Sequence, residues 1–127
     1  MLPYVDSKEQ LVTELYIRDV SISFKFYADL GFTPIRILVD FAEFTWEGHR
    51  FMLEEHKEWD WPPIPKHPQA NIRVMVPDVD KFWLLAMDMK APVLKPIDDR
   101  GYGLRDFTIV DPDGFAIRFA SRLNDIN

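Results

Sequence analysis

The period of the hydrophobic positions changes twice along the chain, in the same order each time. In "LYIRDVSISFKFYADLGF" (Leu15 to Phe32) a short alternating run gives way to Val20, Phe24 and Tyr27 at helical spacing. In "RVMVPDVDKFWLLAMDMKAP" (Arg73 to Pro92) the same change leads to Val79, Phe82, Trp83 and Ala86. Setting Asp19-Val20 on Asp78-Val79 relates the two stretches by 59 residues. Both aspartates suit the N-cap of the helix they precede, and Gly31 stands where a left-handed residue closes the first helix.

Each helix is followed by stretches that read as strands. They are Pro34–Val39, Phe41–Trp46 and Arg50–Glu54 in the first half. In the second half they are a short Val93–Lys95, Leu104–Val110 and Ala116–Ser121. Gly48 and Gly114 lie 66 residues apart, so the second half has gained about seven residues, placed in "PIDDRGYGLR". The expected architecture is an α+β fold of two tandem βαβββ units forming a curved mixed sheet with its helices on the outer face. One domain of 127 residues then comprises half-repeats at 11–54 and 70–121 and a connector at 55–69. Four prolines exclude regular structure from the connector, "EHKEWDWPPIPKHP".

A sheet with one helix leaves one face bare. Alternation turns Leu15 and Ile17 towards the first helix, and Ile72, Val74 and Val76 towards the second. The bare face, expected to form a trough, receives Val12, Glu14, Tyr16, Met52, Glu54, Asn71, Arg73, Met75 and Arg118, with Phe44 and Trp46. Arg118 stands out. In "DPDGFAIRF" a type I turn with Pro112 and Gly114 opens a strand whose Ile117 and Phe119 seek a core. The opposite face then holds Ala116, Ala120 and one long cation.

Composition trims the functional classes. There is no cysteine, which excludes disulfides, thiolate-bound zinc and thiol nucleophiles. Fifteen Lys and Arg against 21 Asp and Glu give a net charge of −6, which argues against nucleic acid as partner. No apolar run approaches membrane-spanning length and no leader pattern opens the chain, so a cytoplasmic protein is expected.

The tandem units, "RDVSISFKFYADLGF", "VPDVDKF" and "DPDGFAIRF", together resemble the vicinal oxygen chelate superfamily, from about Leu11 to Ser121. This group includes glyoxalase I, extradiol dioxygenases, and fosfomycin- and bleomycin-resistance proteins. Its metal-dependent members use four ligand positions. Here the resemblance puts them at Val12, at Asn71, at Arg118, and at either Met52 or Glu54. Valine has no donor, asparagine is a weak ligand and arginine repels a cation, so neither metal nor cofactor is expected. "GYGLRDFTIVDPDG" is similar to a run of the metal-free, bleomycin-resistance-like branch, with Tyr for its Trp, Asp for its Glu and Phe115 for its Asn. That branch implies a homodimer that sequesters planar, cationic aromatic drugs without altering them.

The candidate ligand residues are therefore Glu14, Tyr16, Phe44, Trp46, Glu54, Trp59, Trp61, Arg73, Tyr102, Asp106 and Arg118. Phe44, Trp46 and Tyr102 would stack on a ligand, with Glu54 and Asp106 balancing its charge. Each aromatic is also what a core or dimer interface uses, and Trp59 and Trp61 could simply plug a gap beneath the connector. Arg118, Arg73 and Glu14 admit an internal ion pair, with Glu14 or Glu54 as the partner of Arg118. Failing that, Arg118 implies an anionic or carbonyl-bearing ligand group. The Gly101-Tyr102-Gly103 trio reads as a turn or as a lid over the ligand. His49, His56 and His67 lack ligand spacing, and no catalytic residue is assigned. The rival function is a lyase or dioxygenase with a divalent metal, or a metal-free enzyme using Glu54 or Tyr16.

Overall fold

In the computed structural model, which describes residues 4–125, both helices begin where an aspartate holds the first free amides. Helix α1 (Val20–Leu30) is capped by Asp19, which accepts from the amides of Ser21 and Ile22. Gly31 closes it at φ 113°, a left-handed value that favours glycine. Helix α2 (Val79–Asp88) is capped by Asp78. A second acceptor reaches each helix from its own sheet. Glu55 Oε1 takes the Val20 amide at 3.0 Å, and Ser121 Oγ takes the Val79 amide at 3.0 Å.

The chain divides into two compact units between Pro62 and Pro63, inside the predicted connector. The first contains β1 (Thr13–Ile17), α1, β2 (Thr33–Ile37), β3 (Phe41–Trp46) and β4 (His49–Glu55), in sheet order β1-β4-β3-β2. The second contains β5 (Asn71–Met75), α2, β6 (Val93–Asp99), β7 (Leu104–Val110) and β8 (Ala116–Arg122), in order β5-β8-β7-β6. β1 and β5 run parallel to β4 and β8, and the remaining pairs are antiparallel. Each unit is thus βαβββ, with a mixed four-stranded sheet as expected.

The core of each unit lies between sheet and helix. Ile17, Tyr27, Leu30, Phe44 and Leu53 are fully buried in the first unit; Phe107, Ile109, Ile117 and Phe119 are fully buried in the second. Burying side chains of this size stabilises by about 1.5–3 kcal/mol each. The Phe82 ring stacks on Phe119 at 4.8 Å, and Trp83 meets Phe107 edge-on at 5.2 Å, so the predicted stripe of α2 faces its sheet.

Two expectations are corrected. Phe44 does not face the bare side of the sheet: its ring sits among Phe24, Tyr27, Phe32 and Phe51 on the helix side. Trp46 follows it, 5.0 Å from Phe32, so Phe41, Glu43 and Thr45 take the bare face of β3. Neither Phe44 nor Trp46 is placed to stack on a ligand over the sheet. Secondly, β6 does not stop at Lys95. It continues to Asp99 with register shifts between Val93 and Lys95 and between Lys95 and Asp98. β6 thus has seven residues against five in β2, so part of the additional length of the second half lies in an edge strand, where Pro96 is tolerated.

The DPDG turn forms as read. Asp111 Oδ1 accepts from the amides of Asp113 and Phe115, and the Gly114 amide bonds Asp111 O at 2.9 Å. Gly114 has φ 86°, and a Cβ there would lie 2.5 Å from Ile64 Cγ2. The connector crosses this turn closely enough to require glycine.

Candidate functional site

The bare face of the second unit is built from neighbouring residues of four strands. Arg73 (β5) pairs with Arg118 (β8), Arg118 with Thr108 (β7), and Thr108 with Lys95 (β6). Register partners share a face, so this rung carries three cations across the sheet at strand spacings of about 4.8 Å. On either side the floor is low, because Ala116 and Ala120 flank Arg118 along β8. An open cleft of about 540 Å³ lies over this floor, walled by Leu94, Tyr102 and the end of the connector. No carboxylate lines it among the described residues.

Beneath the cleft lies Asp106, fully buried. It accepts hydrogen bonds from Tyr102 OH at 2.6 Å, Arg100 Nε at 2.8 Å and Arg118 Nε at 3.0 Å. Burial pushes its carboxyl up, but the bonds from Tyr102, Arg100 and Arg118 outweigh this and hold its pKa below the ordinary value of 3.8. The Asp106 bond in turn raises the pKa of Arg100. Asp106 is therefore spent on its own chain and does not offer a negative charge to a cationic ligand, which corrects the expectation for it. It also answers the question of Arg118: its partner is Asp106, not Glu14 or Glu54. Arg100 was missed by the sequence reading, although its spacing of six residues from Asp106 across a Gly-rich turn was a usable signal. Lys95 was missed as well, because the register shifts on either side of it hide from the sequence which face it takes.

Tyr102 occupies the turn from β6 to β7, closed by the Gly103 amide on Arg100 O at 3.1 Å, with Gly103 at φ 92°. The residue is 58% exposed while its hydroxyl is tied to Asp106. The Arg118 guanidinium lies 5.3 Å and the Lys95 ammonium 5.8 Å from the ring centre. An exposed aromatic fixed in this way is a preformed stacking surface.

The bare face of the first unit has a different character. Glu43 is buried and bonded by Arg36 Nε at 3.0 Å and by Arg50, which also holds Glu9 at 2.7 Å. Beside β1, Tyr16 meets His56 and Trp59 edge-on at 5.3 and 5.1 Å, and His56 stacks on Trp59 at 3.7 Å. Trp61 donates to His56 O at 2.7 Å and receives Arg18 over its ring at 4.7 Å. The connector tryptophans thus pack on their own chain, although Trp59 and Tyr16 remain partly exposed. Glu14 and Glu54 are exposed on this face, and Glu54 Oε1 lies 3.3 Å from His56 Nε2. The structure brings Arg73, Tyr102, Asp106 and Arg118 together in the second unit, and Tyr16, Glu54, Trp59 and Trp61 in the first.

The half-to-half register also fixes the position left open between Met52 and Glu54. Glu55 and Ser121 cap equivalent helices, so they correspond at an offset of 66, which sets Met52 on Arg118. The parallel pairs agree, since Glu14 lies opposite Met52 and Arg73 opposite Arg118. The four positions implied by the family are then Val12, Met52, Asn71 and Arg118. They comprise a hydrocarbon, a thioether, an amide and a cation already bonded to Asp106. This donor set does not fit a divalent ion. No group of three or more His, Asp or Glu side chains among the described residues could hold one either.

Comparison with known proteins agrees with this architecture. Solved structures of similar fold include a glyoxalase/dioxygenase from Nostoc punctiforme (16% identity over 96% of each chain, TM-score 0.77). A lactoylglutathione lyase from Agrobacterium tumefaciens is similar as well (21% identity, 92% of this chain and 96% of that one, TM-score 0.70). So is a bleomycin resistance determinant encoded on the transposon Tn5 (19% identity, 90% and 98%, TM-score 0.67). No curated protein matches the sequence. Residues 10–119 match the sequence pattern of one family, and the chain belongs to it: the glyoxalase/bleomycin resistance protein/dioxygenase superfamily.

Proposed function

We propose that the chain is a small-molecule-binding member of its superfamily that holds its ligand without a metal ion and sequesters it rather than turning it over. The observation that carries this reading is the cation at Arg118. At the position where metal-dependent relatives are expected to place a glutamate, this chain has an arginine anchored by a buried carboxylate. The cleft above has the size of a drug-like ligand, and its flat floor and fixed Tyr102 ring suit a planar molecule. Antibiotic sequestration is one instance of such a function. The homodimer belongs to the same reading and is supported by exposed apolar side chains at and beyond the edge strand β2, namely Ile35, Ile37, Leu38 and Val39.

Two measurements test it. Elemental analysis of the purified protein is expected to find no stoichiometric transition metal. One equivalent of Zn, Ni, Fe or Mn per chain would replace the proposal with a metalloenzyme. Thermal-shift screening with planar aromatic compounds of both charges should find stabilising ligands, since a ligand at a hundred times its Kd stabilises by about 2.7 kcal/mol. Analytical ultracentrifugation reads the dimer directly.

A further inference from the structure

We infer that the ligand of the second unit's cleft is an organic anion: a carboxylate carried on a planar, partly apolar body. The inference rests on the reading of this face as a ligand site and names the ligand's charge, which that reading leaves open.

The starting point is an arrangement that folding alone disfavours. Arg73 and Arg118 face each other on adjacent parallel strands, and like charges directly opposite are destabilising. Asp106 relieves only one of them. It is shared between Arg118 and Arg100, so one buried carboxylate is bonded by two arginines, with Asp98 on the neighbouring strand acting on Arg100 only through space. Arg73 and Lys95 have no carboxylate partner among the described residues, and both are exposed on the cleft. An acidic chain of net charge −6 therefore concentrates uncompensated positive charge in one concavity. Such a cleft focuses its field on an anion and repels a cation.

The geometry narrows the class further. Arg118 spends Nε and Nη2 on Asp106 and the Tyr102 hydroxyl, leaving Nη1 without a partner among the described residues. Asp106 thereby orients Arg118 while Arg73 opposite supplies a whole guanidinium, the donor that matches a carboxylate in two-point geometry. Thr108, in the same rung, adds a hydroxyl at the floor. Between the charges, Leu94, Ala116 and the Tyr102 ring offer apolar surface. A carboxylate at the arginines, with an attached ring system over Ala116 and against Tyr102, satisfies both regions. A bare inorganic anion would leave the apolar surface unused.

The test is isothermal titration of the full-length protein with three probes of one shape: 2-naphthoate, 2-naphthylmethanol and 2-naphthylmethylammonium, with inorganic phosphate as a fourth. Naphthoate is expected to bind at least tenfold more tightly than the neutral alcohol. The ammonium compound is expected to be weakest, phosphate weaker than naphthoate, and naphthoate binding to weaken with added salt. Arg73→Gln, at an exposed position, should lose most of the naphthoate preference with its melting temperature intact, whereas Lys25→Gln on α1 should keep it. Equal or tighter binding of the alcohol or the ammonium compound overturns the anion while leaving a ligand site in place. Phosphate binding as tightly as naphthoate overturns the planar body. Absence of binding by all four overturns both the inference and the reading beneath it.

Discussion

At equivalent places in the two halves, one rung of the bare sheet face is acidic in the first unit and basic in the second. The rung Glu14–Met52–Glu43 in the first unit corresponds to Arg73–Arg118–Thr108 in the second. Both faces nonetheless bury one carboxylate beneath a pair of arginines: Glu43 under Arg36 and Arg50, and Asp106 under Arg100 and Arg118. The two clamps are not related by the repeat. On the register fixed by the helix caps, Asp106 corresponds to Phe41, two residues along the strand from Glu43. Similar physics therefore operates at different positions, because any carboxylate pressed onto a sheet needs cationic donors to offset desolvation. What differs is the remainder. In the first unit Glu9 joins Glu43, so two acids meet two arginines. In the second, one buried acid is bonded by two arginines, exposed Asp98 acts on Arg100 only through space, and Arg73 and Lys95 stand beside them. The first clamp balances its own charges; the second leaves positive charge beside it uncompensated.

The largest effect in this comparison should come from the part both halves share, the helix-side core. Phe44→Ala removes a fully buried ring from an aromatic cluster and is expected to cost about 3–5 kcal/mol in chemical denaturation. A loss below 1 kcal/mol would return Phe44 to the bare face. Next comes the clamp of the second unit. Asp106→Asn keeps the shape but leaves Arg100 and Arg118, both largely shielded, without their counter-charge, at an expected cost of about 2–4 kcal/mol. Glu43→Gln should cost less, because Arg36 is 58% exposed and turns to water when released. If the two cost the same, the clamps are equivalent and the contrast between the halves fails.

A smaller effect follows from acid. The Asp106 carboxyl lies below its ordinary pKa when folded, so between the two values the unfolded chain binds the additional proton. Its contribution is therefore complete above the ordinary value of 3.8 and is lost as pH falls through that value towards the lower folded one. Asp106→Asn should flatten this part of the stability profile below pH 3.8, whereas Glu43→Gln should leave the Asp106 part in place.

The comparison also shows where sequence was sufficient. Caps, helical stripes and the DPDG turn are local, and each formed where Asp19, Asp78, Gly31 and Gly114 signalled it. Strand parity was harder. "FAEFTW" offers aromatics to both faces, and a shift of one residue exchanges them. The usable clue was Glu43, the one charge in that strand, which marks Phe41, Glu43 and Thr45 as the open side. Partners in space were harder still. Nothing local joins Asp106 to Arg118, twelve residues away on the next strand, or pairs Arg73 with Arg118. Those contacts follow from register, which pattern alone does not fix.

The smallest expected change in stability carries the sharpest meaning. Arg73→Glu installs in the second unit the residue that stands at the equivalent place in the first, and puts a carboxylate opposite Arg118. If folding alone chose this residue, the natural arginine should be the more stable. The charges argue the reverse. Replacing a like-charge cross-strand pair by an opposite one should raise the melting temperature slightly, by about 1 °C, in low salt. Added salt should stabilise the natural protein at this pair and weaken the variant, because screening relieves repulsion in one and attraction in the other. The variant should at the same time bind 2-naphthoate at least tenfold more weakly. A residue that costs stability yet supports binding is held there by its ligand. If Arg73→Glu instead lowers the melting temperature by several degrees, Arg73 serves the fold, and the positive face is a structural device like its counterpart in the first half.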